Sequence, residues 1–152
     1  MLIQIGNNTV DVNAEKTREY YKNTKRITEN CSCRNCQNFE AAADFLPQDV
    51  IRFFSELGVD LKKICECYEI YTKSDGWVYC GGFCHVCGRL LEGDDVFFRI
   101  DGLLDPGHSR SEDRVYRVSF RDHADLLEEG FPLPAIQIEF EMEIPRVLET
   151  EQ

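Results

Sequence analysis

Eight cysteines are the residues of this chain whose types and spacing could do chemistry. They form three close-set groups: Cys31, Cys33 and Cys36; Cys65 and Cys67; Cys80, Cys84 and Cys87. Zinc in proteins takes four thiolate or imidazole ligands at the corners of a tetrahedron, with sulfur about 2.3 Å from the ion. Two cysteines separated by two residues reach adjacent corners from one tight turn. The grouping therefore predicts a zinc site.

The predicted secondary structure is that of an α+β fold, with two or three short helices beside an antiparallel sheet of several hairpin-connected strands. The predicted strands are a hairpin over 2–12, a hairpin over 64–83 with its turn at 73–76, and strands at 96–100, 115–120 and 136–144. The clearest predicted helices are 14–23, capped by Asn13, and one that begins near Pro47 and ends at Gly58. The polar stretches 28–38 and 102–113 are not expected to be buried elements.

The second hairpin predicts which cysteines meet. A turn at 73–76 places Cys65 opposite Cys84, with Cys67 two residues along on the same face. Cys84 and Cys87 are expected to form a zinc knuckle in which Gly88 takes a positive φ. A four-thiolate zinc site built from these two pairs of cysteines is therefore the first choice, and the strand needs only modest bending at the glycines before it.

Other ligand sets stay open. The first cysteine group, Cys31, Cys33 and Cys36, is the second choice, with a fourth ligand from Cys80, His85, His108 or His123. A rival site pairs Cys33 and Cys36 with the expected knuckle as a long-range ribbon. The same two cysteines also have the spacing of a thiol oxidoreductase, but a polar segment outside a βαβ unit is the wrong context for that activity.

Length and charge bound the class of protein. The 152 residues predict one domain, 1–152, which is large enough to fold around its own core. With no export signal and no stretch of roughly 18 apolar residues, we expect a cytoplasmic protein without a membrane partner. The formal net charge of -11 argues against a nucleic-acid partner, because affinity for phosphate comes largely from Lys and Arg.

The last predicted strand carries a row of carboxylates. Glu139, Glu141 and Glu143 alternate with apolar residues, so strand geometry presents all three on one face. That face is the expected binding surface for a basic protein partner. The alternative is that arginines of neighbouring strands neutralise the row as weak cross-strand pairs, namely Arg99, Arg117 and Arg121.

Three motifs together resemble a family of small bacterial proteins of uncharacterised activity. They are CxCxxCxNF at 31–39, GGFxHxxG at 81–88 and QIEFEMEIP at 137–145, and the resemblance covers most of the chain from residue 31 onward. Members of that family carry the first cysteine group but no cysteines at the positions of Cys65 and Cys67, and aromatic or aliphatic residues at those of Cys84 and Cys87. The resemblance therefore implies that these four share one metal, and it implies no activity.

No motif of a metalloprotease, phosphate-binding loop, serine hydrolase or zinc deaminase is present in the sequence. The sequence favours a bacterial zinc-binding module that binds a basic protein, in the manner of an immunity protein, and catalyses nothing. The alternative is a cysteine- or zinc-dependent enzyme centred on the first cysteine group, since a catalytic zinc has three protein ligands and an open position.

Overall fold

A computed structural model describes residues 1–101 and 114–148 of the chain. In this part the protein has an α+β fold with an antiparallel seven-stranded sheet and four α-helices, where the sequence predicts two or three. The strands are β1 (Leu2–Ile5), β2 (Asn8–Val12), β3 (Glu66–Thr72), β4 (Val78–Glu92), β5 (Phe98–Arg99), β6 (Tyr116–Arg121) and β7 (Ala135–Ile144). The helices are α1 (Ala14–Asn23), α2 (Ile27–Asn30), α3 (Arg34–Ala42) and α4 (Gln48–Glu56).

Strand β4 organises the sheet. The strands lie in the order β1-β2-β4-β7-β6-β5, and β3 also pairs with β4. One edge of β4 pairs first with β3 and then with β2, while β7 pairs with its other edge from Val78 to Cys87. Because β7 pairs continuously through this stretch, β4 crosses the sheet as one extended strand.

The core lies between one face of the sheet and the helices. On β7 this face carries the apolar residues that alternate with glutamates, namely Ile136, Ile138, Phe140, Met142 and Ile144, all buried. Phe39 of α3 stacks on Phe140 with ring centroids 5.8 Å apart, and Phe54 of α4 meets the same ring edge-on at 6.3 Å. Burial of these aromatic side chains fixes α3 and α4 against the centre of the sheet.

Two glycines of β4 permit close packing on both faces of the sheet. A Cβ on Gly82 would meet the carbonyl oxygen of Glu66 and the Phe140 ring, and one on Gly81 would meet the ring of Tyr68. The β3–β4 pairing shows no irregularity at these glycines; it shifts register between Glu69 and Tyr71. The strand pairing is therefore regular at 81–82, and the glycines make room for neighbouring groups.

The ends of the early elements follow the sequence signals. The side chain of Asn13 accepts a hydrogen bond from the Lys16 amide at 3.0 Å, and α1 has the predicted bounds. Pro47 caps α4, and Gly58 follows its end with a φ of 86°. The structure shows strand at 98–99 only of the predicted 96–100, and the predicted loop 102–113 lies outside the described residues.

The polar stretch 28–38 is largely exposed, as expected, but it contains most of α2 and the start of α3, which the sequence does not predict. Cys36, Asn38 and Phe39 are buried on the inner side of α3. Among the described residues, no helix is both long enough and apolar enough to span a bilayer.

Candidate metal centre

The first cysteine group is brought together at the junction of α2 and α3. Cys31 caps the end of α2, Cys33 caps the start of α3, and Cys36 lies in the first turn of α3. Their three sulfur atoms all lie within 4.8 Å of one another, and in the described part of the chain no other set of three metal-binding groups is this close. The cluster can accept a metal ion.

Cys33 begins α3 with its sulfur atom. Its Sγ accepts a hydrogen bond from the Cys36 amide at 3.4 Å, in the place usually taken by the oxygen of Ser, Thr, Asp or Asn. Burial alone would raise the pKa of Cys33, but hydrogen bonds from the Cys36 and Asn35 amides and from the Cys31 and Cys36 thiols outweigh it, so the net pKa is lowered. A helix N-terminus favours a thiolate in this way.

Cys36 is the inner member of the group. It is buried, whereas Cys31 and Cys33 are exposed at the surface. Burial, followed by hydrogen bonds with the other two thiols, raises the pKa of Cys36 well above its usual value. The cluster therefore contains an exposed cysteine, Cys33, that favours the thiolate form, and a buried cysteine, Cys36, whose deprotonation needs a nearby cation.

Two further cysteines continue inward from the cluster. A hydrogen bond with Cys80, and then burial, raises the pKa of Cys67 well above its usual value, and nearby Cys36 raises it further. Asn35 of α3 links this pair to the cluster, since its Nδ2 donates to the carbonyl oxygen of Cys67 at 3.2 Å and lies 3.7 Å from the Cys67 sulfur. Cys80 is fully buried, as expected of a small apolar residue.

The structure does not bring the first-choice ligand set together. Cys65, Cys67 and Cys84 lie near the same end of the β3–β4 pair, in the predicted register, and Cys65 is close enough to Cys84 to raise its pKa further after burial. Cys87, however, is three residues beyond Cys84 in a continuous strand, so the two side chains lie on opposite faces of the sheet. The expected knuckle is therefore not formed.

Gly88 also differs from the expectation. Its φ is not positive, because it lies within β4 and pairs with Val12. A side chain at this position would meet the carbonyl oxygen of Asp11, so glycine is needed for the close approach of β2 rather than for a turn.

The histidines proposed as a fourth ligand lie elsewhere. His85 is on the face of β4 opposite to Cys84, and His123 contacts Asp125 at 3.3 Å and Glu139 at 3.9 Å. His108 lies outside the described residues. Within the described residues, neither histidine joins the first cysteine group.

The carboxylate row is largely engaged within the sheet. Glu143 is 3% exposed and contacts Lys73 at 2.7 Å. Glu141 forms an ion pair with Arg117, which lies directly across from it on β6, and Glu139 lies 3.9 Å from Arg121. Of the three arginines expected to neutralise the row, Arg99 instead pairs with Asp101.

Asn38 is a supporting residue that the sequence motif contains but whose role only the structure reveals. It is buried in α3, and its Nδ2 donates to the Pro145 carbonyl oxygen at 3.2 Å. Its Oδ1 accepts from the amides of Val147 at 2.9 Å and Leu148 at 3.3 Å. The helix that carries Cys33 and Cys36 is thereby tied to the chain after β7, which joins the first and last of the three motifs.

Comparison with known proteins adds no relative: no protein-family model, curated protein or solved structure matches this chain.

Proposed function

We propose that this protein binds one thiophilic divalent metal ion, zinc in the first instance, through Cys31, Cys33 and Cys36. The observation that carries the proposal is the mutual approach of the three sulfur atoms within 4.8 Å. Ligands 2.3 Å from a tetrahedral zinc are about 3.8 Å apart, so closing the cluster around the ion needs movements of only about 1 Å.

The local structure supports the deprotonation that metal binding requires. The helix N-terminus already favours the thiolate of Cys33, and a bound cation supplies the charge that the buried Cys36 lacks. Cys31 stands at the end of a short helix directly before this turn, so one ion crosslinks α2 to α3. Metal binding therefore stabilises this corner of the fold.

The fourth coordination position distinguishes two roles. With solvent in that position the site has the composition of a catalytic zinc, and with a fourth sulfur it is closed and structural. Cys67 is the candidate fourth sulfur, because it is near Cys36 and connected to α3 by Asn35. We propose the structural role, because a fourth sulfur, that of Cys67, lies near the cluster.

A second candidate function is thiol–disulfide exchange by Cys33 and Cys36. The observation that favours it is an exposed cysteine at the N-terminus of α3 with a buried cysteine one turn later. The Cys33 thiolate would attack a substrate disulfide, and Cys36 would resolve the mixed disulfide, releasing the reduced substrate and leaving a disulfide between the two cysteines. This activity needs the cluster free of metal.

Titration of the reduced protein with Co²⁺ tests the proposal. We expect sulfur-to-cobalt charge-transfer absorption that saturates at one equivalent and disappears on addition of zinc. Substitution of Cys33 by serine should abolish tight binding, while Cys67→Ser should leave three-sulfur binding with weaker charge transfer. Absence of saturable absorption, together with reduction of a model disulfide by the wild-type protein, would favour the exchange activity instead.

A further inference from the structure

A second candidate site lies away from the cysteine cluster. A partly open cavity of about 220 Å³ lies where α1, the chain just before β3, strand β4 and the chain between β6 and β7 meet. Its walls include three aromatic residues, Tyr20, Tyr21 and Phe131, and the polar groups of His85, Cys65 and Glu128. Ligand sites in proteins commonly measure roughly 300–1,000 Å³, so this cavity suits a ligand of only a few heavy atoms.

His85 supplies the observation that points to a ligand. The residue is 4% exposed and lines the cavity, and its buried Nε2 has no hydrogen-bond partner among the described residues. Buried polar side-chain atoms are nearly always hydrogen-bonded in native proteins. A group that binds in the cavity and donates a hydrogen bond would satisfy this nitrogen.

The imidazole packs against two aromatic rings and is neutral at pH 7. Its ring lies 5.7 Å from that of Phe83 and 5.9 Å from that of Phe131, and the Tyr21 hydroxyl donates to the His85 carbonyl oxygen at 2.8 Å. Burial lowers the pKa of His85, and the opposite effect of the Gln137 side chain and the Asp125 backbone, which raise the pKa, is smaller. A neutral imidazole keeps one acceptor nitrogen, so the ring is able to accept from a donor.

The charge of the cavity comes from Glu128. This carboxylate accepts hydrogen bonds from the hydroxyls of Tyr20 and Thr24. Partial burial and then the Glu128 contact raise the pKa of Tyr20 to about 12, and partial burial followed by Glu66 and Glu128 raises that of Cys65 to about 11. Both groups therefore stay uncharged at pH 7.

Lys63 is the one cation among the described wall residues, and backbone carbonyls engage its ammonium group. Lys63 donates to the carbonyl oxygens of Tyr21 at 2.7 Å and Lys22 at 3.3 Å, at the C-terminal end of α1. Its ammonium group is thus occupied in capping the helix.

We propose that this cavity binds a small primary ammonium ion. An ammonium group has three N–H donors and no acceptor. It matches the acceptors offered by His85, by the Glu128 oxygen that accepts no hydrogen bond from the described residues, and by the Leu126 carbonyl, which receives from those residues only the weak Cys65 thiol at 3.7 Å. The faces of Tyr20, Tyr21 and Phe131 attract the cation and cover its alkyl part. This binding is independent of any metal at the cysteine cluster.

Three probes of similar shape test the charge that the cavity selects. n-Butylammonium, 1-butanol and butanoate are titrated separately into the ¹⁵N- and ¹³C-labelled full-length protein, and the ring signals of His85 are followed by NMR after assignment with His85→Gln. We expect saturable shifts with n-butylammonium and none with the alcohol or the anion. No saturable shift with the ammonium ion, or equal binding of either other probe, overturns the proposal.

Two neighbouring carboxylates provide a matched pair of variants. Glu128→Gln removes the carboxylate of the cavity, whereas Glu129→Gln makes the same charge change at an exposed residue that does not line it. We expect Glu128→Gln to weaken n-butylammonium binding by about tenfold, because hydrogen bonds to charged groups are the stronger ones. Equal weakening by Glu129→Gln would mean that net charge alone attracts the ion, and the site assignment would be wrong.

The same chemistry is presented by a free amine or by a lysine side chain of a partner protein. The capped tripeptide acetyl-Gly-Lys-Gly-amide is therefore added as a fourth probe. Tighter binding of this peptide than of n-butylammonium identifies a lysine side chain as the ligand, and tighter binding of the free amine identifies a small molecule.

Discussion

Replacing Glu143 with alanine should destabilise the fold, because this carboxylate is buried and doubly bonded. One oxygen contacts the Lys73 ammonium at 2.7 Å, and the other accepts from the Val115 amide at 3.0 Å. The substitution leaves that amide without its charged acceptor, which costs about 2 kcal/mol. Loss of the Lys73 contact adds little to this cost, because the ammonium group is partly exposed to solvent.

The same strand provides two matched controls that differ in burial. Glu141 is 23% exposed and contacts Arg117 and the Tyr79 hydroxyl. Glu139 is 30% exposed, accepts a hydrogen bond from Gln137 at 3.1 Å and lies 3.9 Å from Arg121. Alanine at Glu141 should cost about 1 kcal/mol and alanine at Glu139 about 0.5 kcal/mol or less. The free energies of unfolding should therefore fall in the order of burial.

Urea unfolding of the three variants at pH 7 measures these differences. With a slope of roughly 2 kcal/mol per molar urea, Glu143→Ala should lower the midpoint by about 1 M. If all three variants equal or exceed the wild type in stability, relief of the net negative charge dominates and the structural role of Glu143 is wrong. The binding of a basic partner by this row stays a prediction, and Glu139→Ala is the variant best suited to test it without unfolding the protein.

Three further predictions concern the cysteines, the sheet and pH. Alkylation of the reduced, metal-free native protein, mapped by mass spectrometry, should label the exposed Cys31, Cys33 and Cys65 and spare the five buried cysteines. Zinc should then protect Cys31 and Cys33 alone. Protection of Cys65 by zinc would contradict the proposed site. Gly82→Ala should lower the free energy of unfolding by about 3 kcal/mol and Tm by roughly 10 °C, because the added Cβ would meet the Glu66 carbonyl and the Phe140 ring. A Tm within about 2 °C of wild type would refute this packing. Burial lowers the pKa of His85 in the folded protein below its usual value of 6.5. As pH falls through 6.5, the unfolded chain therefore binds a proton at His85 before the folded protein does. The stability that neutral His85 contributes above pH 6.5 is lost as pH falls toward its folded pKa. The metal-free His85→Gln variant should therefore lose less stability than the wild type between pH 7 and pH 5 in urea unfolding, and an equal loss would argue against this assignment.

Much of the fold could be predicted because its signals are local. Alternation from Ile136 to Ile144 specifies a half-buried strand, and the side chain of Asn13 caps α1 as the sequence indicates. Helix α3 was missed because a cysteine sulfur caps it and most of its early residues are polar. The spacing of Cys36, Phe39 and Ala42, which are buried on one side of α3, was the signal that could have revealed it.

The predicted knuckle of the first-choice ligand set is not formed, because long-range strand pairing decides the structure at this point. Cys84 and Cys87 have the spacing of a knuckle, but β7 pairs with β4 along this whole stretch and keeps it extended. Sequence neighbours therefore separate to opposite faces of the sheet. The cluster of Cys31, Cys33 and Cys36 forms within a single helix–helix turn, so its proximity could be predicted from spacing, whereas its link to Cys67 through Asn35 could not.

Zinc content of two single variants tests the central claim most directly. Cys33 and Cys65 are both exposed; Cys33 belongs to the cluster at the α2–α3 junction, and Cys65 belongs only to the first-choice ligand set. Elemental analysis of protein purified without chelator should find about one zinc per chain in the wild type and in Cys65→Ser, and almost none in Cys33→Ser. Loss of zinc from Cys65→Ser with retention in Cys33→Ser, or a wild-type protein free of metal with all eight thiols reduced, would contradict the account.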